Sequence, residues 1–162
     1  MPLSTQNSVK AKCHNQPAFD EGEALEDLDP GQGVERGDGG FEAAGEDSAT
    51  KRVVREQRNP GGRGIEDDES PLEKGYDSGS NVETLGFQSH DQARVLVDYA
   101  DVDDDGTADT YSEGEELGWN SDGYLEVIEG GDPTEAVATI AAEDGVELSD
   151  GDAPTHVLVE FL

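Results

Sequence analysis

The chain has 162 residues, which is long enough for one domain with a modest hydrophobic core. Forty Asp and Glu residues against ten Lys and Arg residues give a formal net charge of -30, and only 32% of the residues are hydrophobic. A charge of this sign disfavours direct contact with nucleic acid or with an anionic membrane surface. The single cysteine, Cys13, excludes an internal disulfide bond.

Three interpretations are compatible with this composition. Low hydrophobicity with high net charge is typical of intrinsic disorder, and a dense acidic surface is also what a protein mimic of nucleic acid presents. The third is a folded domain of a halophile, whose carboxylates are screened over roughly 3 Å at molar salt. We favour the folded domain, because the apolar residues gather into short β-branched and aromatic runs at 95–97, 124–128 and 156–161.

The first 24 residues are predicted to form an extended arm. They are mostly polar, and residues 1–16 lack the hydrophobic core of a signal peptide, so we expect the protein to be made in the cytoplasm. Lys10 and Lys12 are two of the four lysines in this acidic chain and are candidates for contact with a negatively charged neighbour. The alternative is an ordinary frayed terminus with one edge strand.

Residues 25–162 are predicted to form one all-β domain, a small barrel or sandwich of about eight short strands separated by Gly, Pro, Asn and Asp turns. No long helix is expected, and residues 26–45 are rich in turn signals. An Asp-Gly dipeptide at 122–123 lies between two apolar segments and predicts a hairpin. The predicted strands are residues 51–56, 81–85, 93–99, 117–119, 124–127, 136–142 and 155–162.

The sequence offers no convincing nucleophile with a neighbouring base, so it predicts a protein that is not an enzyme. Cys13 and His14 are adjacent, but both lie in the polar arm, where no pocket is expected. His90 is predicted to lie in a turn, and His156 at an edge or rim where the last strand begins. None of these residues has partners at metal-ligand spacing.

An acidic motif at residues 101–109 predicts a calcium site. Such loops converge three carboxylates on a hard cation, turn at a glycine, and add a backbone carbonyl at the seventh position. The twelfth residue, which supplies a bidentate Glu in such loops, is a serine here, so an acidic loop with only diffuse cations is the alternative. The candidate ligands are Asp101, Asp103, Asp105, Thr107 and Asp109.

Turns and strands follow one another in an order that resembles the head decoration, or capsid cement, proteins of tailed viruses. The resembling segments are an early Pro-Gly turn before a Val-containing strand at 29–35, a strand with a Gly-rich loop at 53–67 followed by 76–82, and a late hairpin at 114–125. The resemblance covers roughly residues 25–162 and lies in the turns rather than in a catalytic signature. Departures from the pattern are a longer loop at 68–75 and an insertion at 101–110.

The resemblance implies a structural virion protein, often trimeric, that lies on the outer surface of an icosahedral head and clamps neighbouring major capsid protein subunits. Together with the acidic composition, it implies a tailed virus of a salt-loving host, with assembly in the host cytoplasm. The implied contacts are the arm and the loop at 59–67. The alternative is a halophilic, acidic calcium-binding β module. The residues expected to touch the capsid are Lys10, Lys12, Asn59, Arg63 and Ile65.

Overall fold

The computed structural model describes residues 8–57, 71–100, 108–128 and 133–162. All regular secondary-structure elements in these ranges are strands, which confirms the all-β prediction. Accordingly, these ranges contain no helix long and apolar enough to cross a membrane. The strands are β1 (Lys10–Lys12), β2 (Ala18–Ala24), β3 (Val34–Arg36), β4 (Gly40–Ala43), β5 (Arg52–Val54), β6 (Asn81–Gly86), β7 (Gln92–Val97), β8 (Asp109–Tyr111), β9 (Glu116–Trp119), β10 (Leu125–Val127), β11 (Ala138–Ile140), β12 (Val146–Leu148) and β13 (Thr155–Phe161).

Five strands close into a small barrel in the order β7-β10-β9-β11-β13, and β13 pairs again with β7. Neighbours are antiparallel except β7 and β10, which are parallel. Alternate residues of a barrel strand point inward, so each strand contributes every second side chain to the core. The buried alternating residues are Ala93, Val95, Val97, Leu117, Trp119, Leu125, Val127, Ala138, Ile140, Val157, Val159 and Phe161.

A second sheet, in the order β3-β4-β2-β6-β5, has apolar residues on both faces. Val53 and Val54 are neighbours in β5 and therefore point to opposite sides. Val53 belongs to the same core cluster as the barrel interior, whereas Val54 packs in a separate cluster with Leu28, Phe41 and Tyr76. One face of this sheet thus packs on the barrel core, and the other is covered by the segments that carry Leu28 and Tyr76.

The predicted strands of the barrel are confirmed. The Asp-Gly hairpin is the β9–β10 pair, the segment at 136–142 contains β11 rather than a helical turn, and the last segment is β13. The structure has more strands than the eight or so expected. The β3–β4 hairpin lies within the stretch that was interpreted as turns. Its two strands are only three and four residues long, and the glycines around them gave a stronger turn signal than strand signal.

The beginning of the chain differs from the expected extended arm. β2 pairs with β6 over six residues and with β4 at its end, so it is an internal strand of the second sheet. β1 pairs with β7 of the barrel. The side chain of Val9 is fully buried, and its N–H donates to the buried carboxylate of Glu56 at 3.0 Å. These contacts tie residues 8–24 to the domain, and residues 1–7 lie outside the described ranges.

Candidate functional site

The structure places two of the five expected capsid-contact residues. Lys10 and Lys12 are both exposed and lie at the two ends of β1, which pairs with β7. Asn59, Arg63 and Ile65 lie outside the described residues. The structure therefore brings the two lysines together on one strand and leaves the expected loop contacts as predictions.

Lys10 lines a groove of about 230 Å³ between β1 and the second sheet. Phe19 in β2 also lines this groove, and it is 51% exposed. Among the described residues only Phe19 and Leu162 are large hydrophobic residues with this degree of exposure. The groove is lined by Lys10, Gln16, Pro17, Phe19, Arg55, Glu56 and Leu85.

Arg55 forms the cationic side of the groove. Its guanidinium carbon lies 5.7 Å from the centre of the Phe19 ring, at a distance suited to a cation–π contact. Its nitrogens also lie 3.8 Å from carboxylate oxygens of Glu83 and Glu56. These carboxylates hold the guanidinium beside the ring while its outer surface stays within reach of the groove.

Two further arginines reach β2 from neighbouring strands. Arg36 forms an ion pair with Asp20, and Arg52 donates to the carbonyl oxygen of Ala18 at 3.4 Å and to Thr84 Oγ1 at 3.0 Å. Burial, and then the positive charge of Arg36, lower the pKa of Arg52. Arg36 and Arg52 thus lie on the face of the second sheet that carries Ala18 and Asp20, whereas Phe19, with Lys10 and Arg55 beside it, points to the opposite face. We call the residues on the Phe19 side the Phe19 patch and define it as Lys10, Phe19 and Arg55.

The basic residues are unevenly distributed along the chain. All ten Lys and Arg residues occur at or before Arg94, and residues 95–162 contain neither. The sequence interpretation did not identify Phe19, because it lies in an acidic segment that was assigned to the arm. The asymmetry of the basic residues along the chain is the signal that could have drawn attention to this half of the molecule.

The three segments that resemble decoration proteins meet at one junction between the barrel and the second sheet. The early Pro-Gly turn contacts the late hairpin directly. Gly33 N–H donates to the carbonyl oxygen of Gly123 at 2.8 Å, and Gln32 Nε2 donates to that of Asp122 at 2.6 Å. Close approach of the two backbones at this point requires the absence of a side chain, since a Cβ on Gly123 would lie 2.7 Å from the Gly33 oxygen.

The same turn is also bonded to barrel strands β7 and β13. Leu96 N–H donates to the carbonyl oxygen of Gly31 at 3.0 Å, and His156 Nε2 lies 2.7 Å from that of Pro30. His156, expected at an edge or rim, is half-buried in this contact, and burial lowers its pKa. The third resembling segment joins through Tyr76, whose backbone exchanges two hydrogen bonds with Leu28 just before the turn.

Cys13 and His14 form no reactive pair. Burial, and then the negative charge of Asp91, raise the pKa of the Cys13 thiol, which disfavours the thiolate that nucleophilic attack requires. His14 Nδ1 lies 3.5 Å from Asp91 Oδ1 instead. His90 lies in a turn, as predicted, with a left-handed φ of 71° and an exposed side chain.

Of the candidate calcium ligands, the structure places only Asp109, which begins β8 and is half-buried. Asp101, Asp103, Asp105 and Thr107 lie outside the described residues. Elsewhere, in the part of the chain that the structure describes, no three His, Cys, Asp or Glu residues are grouped so that they could hold a metal ion. The calcium site thus stays a prediction from sequence.

No protein-family model matches this chain, and a search of curated proteins returns no match either.

Proposed function

We propose that this protein is a structural component of a virion, which binds the outer surface of a shell of major capsid protein subunits and stabilises it. The proposal begins from the order of turns shared with the decoration proteins of tailed viruses. It includes a homotrimer as the bound form and excludes enzymatic activity. The proposal also includes a salt-loving host, because dissolved salt in such an environment screens the repulsion between the carboxylates of the acidic surface.

The observation that carries this proposal is the junction between the barrel and the second sheet. The three resembling segments are far apart in sequence, yet backbone hydrogen bonds join Gly33 to Gly123 and join Gly31 and Gln32 to Val54. Residues that fix how two sheets pack are the ones that a shared fold needs to keep. The resemblance therefore lies in residues that fix how the two sheets of this chain pack, which supports the proposal.

A decoration protein also needs little beyond a rigid body with a contact surface. Its binding energy comes from many copies that engage symmetric positions, where each additional contact is effectively intramolecular. A small barrel fused to a second sheet supplies such a rigid body, and the Phe19 patch supplies an exposed apolar side chain beside cations. These features support the proposal.

The test is binding to capsids in molar KCl. Shells assembled from the major capsid protein of the virus that encodes this chain are mixed with increasing amounts of the purified protein and pelleted through a gradient. We expect saturable co-sedimentation at a fixed ratio to the capsid subunit, and a higher temperature of shell disruption when the sites are full. Absence of the protein from the pellet at saturating concentration would contradict the proposal.

A further inference from the structure

The beginning of the described chain is fixed at the wall of the groove beside Phe19. The N–H of Val9 donates to Glu56 Oε2 at 3.0 Å, and Glu56 lines this groove. The carbonyl oxygen of Ser8 accepts a hydrogen bond from Arg94 Nη1 at 3.1 Å. Residues 1–7 are therefore joined to the domain at the groove itself.

The lining of the groove favours an apolar occupant over a charged one. Arg55 Nε lies 3.8 Å from Glu56 Oε1, so these two charges in the lining balance each other. Phe19 is 51% exposed, and Pro17 and Leu85 add further apolar surface to the lining. An exposed ring beside a groove of about 230 Å³ is stabilised when another apolar side chain removes it from water.

The sequence of residues 1–7 suits contact with protein rather than with water. Residues 1–19 contain no Asp or Glu, although these two types account for 40 of the 162 residues. Hydrated carboxylates keep a chain of this charge in solution, so a stretch without them is suited to packing. Met1 and Leu3 are the large apolar residues of this stretch before Ser8. The five residues from Leu3 to Ser8 span up to about 17 Å when extended, which is enough for Leu3 to reach a groove whose wall is bonded to Val9.

We propose that residues 1–7 fold back on their own domain and that the side chain of Leu3 docks in the groove against Phe19. The short connection gives Leu3 a high effective concentration at this groove. The same segment of a second copy would have to approach against a net charge of -30 on each molecule, which favours the segment of the same chain. The docked segment adds the uncharged side chains of residues 4–7 to the surface of the Phe19 patch, and its docking does not depend on capsid binding.

Proton NMR of the protein in molar KCl tests this contact, with Leu3→Ala used to assign the Leu3 methyl signals. The ring current of Phe19 should shift these methyl protons upfield of their position in an unstructured peptide, and nuclear Overhauser effects should join them to the ring protons. Phe19→Ser should return the signals to the unstructured position, with amide proton dispersion as the check that the variant is folded. Leu162→Ser, at the other exposed large hydrophobic residue of the described ranges, is the matched control and should leave the Leu3 signals shifted.

A mixture of isotope-labelled and unlabelled protein identifies the copy that supplies the segment. Overhauser effects between Leu3 and Phe19 that arise only within one molecule support the proposal. The same effects between a labelled and an unlabelled molecule would assign the groove to segments exchanged between copies and would overturn it. Leu3 signals at the unstructured position in the unmodified protein, or signals that stay shifted in folded Phe19→Ser, would overturn it as well.

Discussion

Gly33 lies against the indole ring of Trp119, which is fully buried in the barrel. A Cβ at this position would lie 2.7 Å from three atoms of the ring, closer than any relaxed carbon contact. The ring cannot easily move, because its Nε1–H donates to the carbonyl oxygen of Thr50 at 2.9 Å. One hydrogen atom in place of a methyl group thus allows the second sheet to approach the barrel.

We therefore expect Gly33→Ala to lower the free energy of unfolding by about 1–3 kcal/mol, the usual cost of overpacking a core. Urea titration in molar KCl, followed by the fluorescence of the single tryptophan, measures the change. Gly45→Ala is the matched control, because a Cβ there would meet nothing within 4 Å. Equal midpoints for the two variants would show that the junction tolerates a side chain.

The second residue-scale prediction concerns the pH dependence of stability. Burial lowers the pKa of His156, so the unfolded chain binds this proton more tightly than the folded one. The stability that depends on His156 being neutral is fully present above the ordinary histidine pKa of about 6.5. It is lost as the pH falls below that value toward the pKa of the folded state. Unfolding midpoints should therefore decrease as the pH falls through this window.

His156→Gln provides the comparison, since a glutamine amide can still donate toward Pro30 but does not titrate. The variant should lose less stability than the unmodified protein between about pH 7.5 and about pH 5.5. Parallel pH profiles for the two proteins would refute a role for this histidine.

At the scale of elements, the side chain of Asn120 adds three hydrogen bonds to the backbone ladder of the β9–β10 hairpin. Asn120 Oδ1 accepts from the backbone N–H groups of Asp122 and Tyr124 at 3.0 and 3.1 Å, and its Nδ2 donates to Glu126 at 2.9 Å. Both Asn120 and Glu126 are buried. The amide therefore accepts hydrogen bonds from two backbone N–H groups of the turn and donates one to a buried carboxylate. An ionised aspartate could accept the first two but has no hydrogen to donate.

We expect Asn120→Asp to destabilise the protein by about 1–3 kcal/mol, because it removes the donor to Glu126 and places a second carboxylate beside it. Hydrogen exchange of the β9 and β10 amides should accelerate in the variant before global unfolding. Asp122→Asn makes the opposite change at an exposed position of the same hairpin and should leave exchange unaltered. Unchanged protection in Asn120→Asp would contradict this account of the turn.

Elements with a clear local pattern were the predictable ones. The alternation of β13, the β-branched residues of β11 and the Asp-Gly turn all indicate the strands that the structure contains. β2 was missed because its sequence is acidic at three of seven positions, and its place in the sheet depends on β6, about 60 residues away. The Phe19 patch was missed for the same reason, since it brings together Lys10, Phe19 and Arg55, which no local window contains.

At the scale of the whole molecule, the stability that comes from a core of modest size must exceed the electrostatic repulsion of a net charge of -30. Mutual repulsion of carboxylates opposes the compact state at low ionic strength and is screened as salt is added. We expect the urea midpoint to rise steeply between dilute buffer and molar KCl. A non-ionic osmolyte at the same osmolality is the control and should have a smaller effect. A midpoint independent of KCl would contradict adaptation to a salt-loving host.

The most direct measurement of the central claim is a cryo-electron microscopy map of capsids incubated with this protein in molar KCl. The proposed function predicts density for the barrel and the second sheet at symmetric positions on the outer surface. Capsids that remain bare at saturating protein concentration would contradict the account.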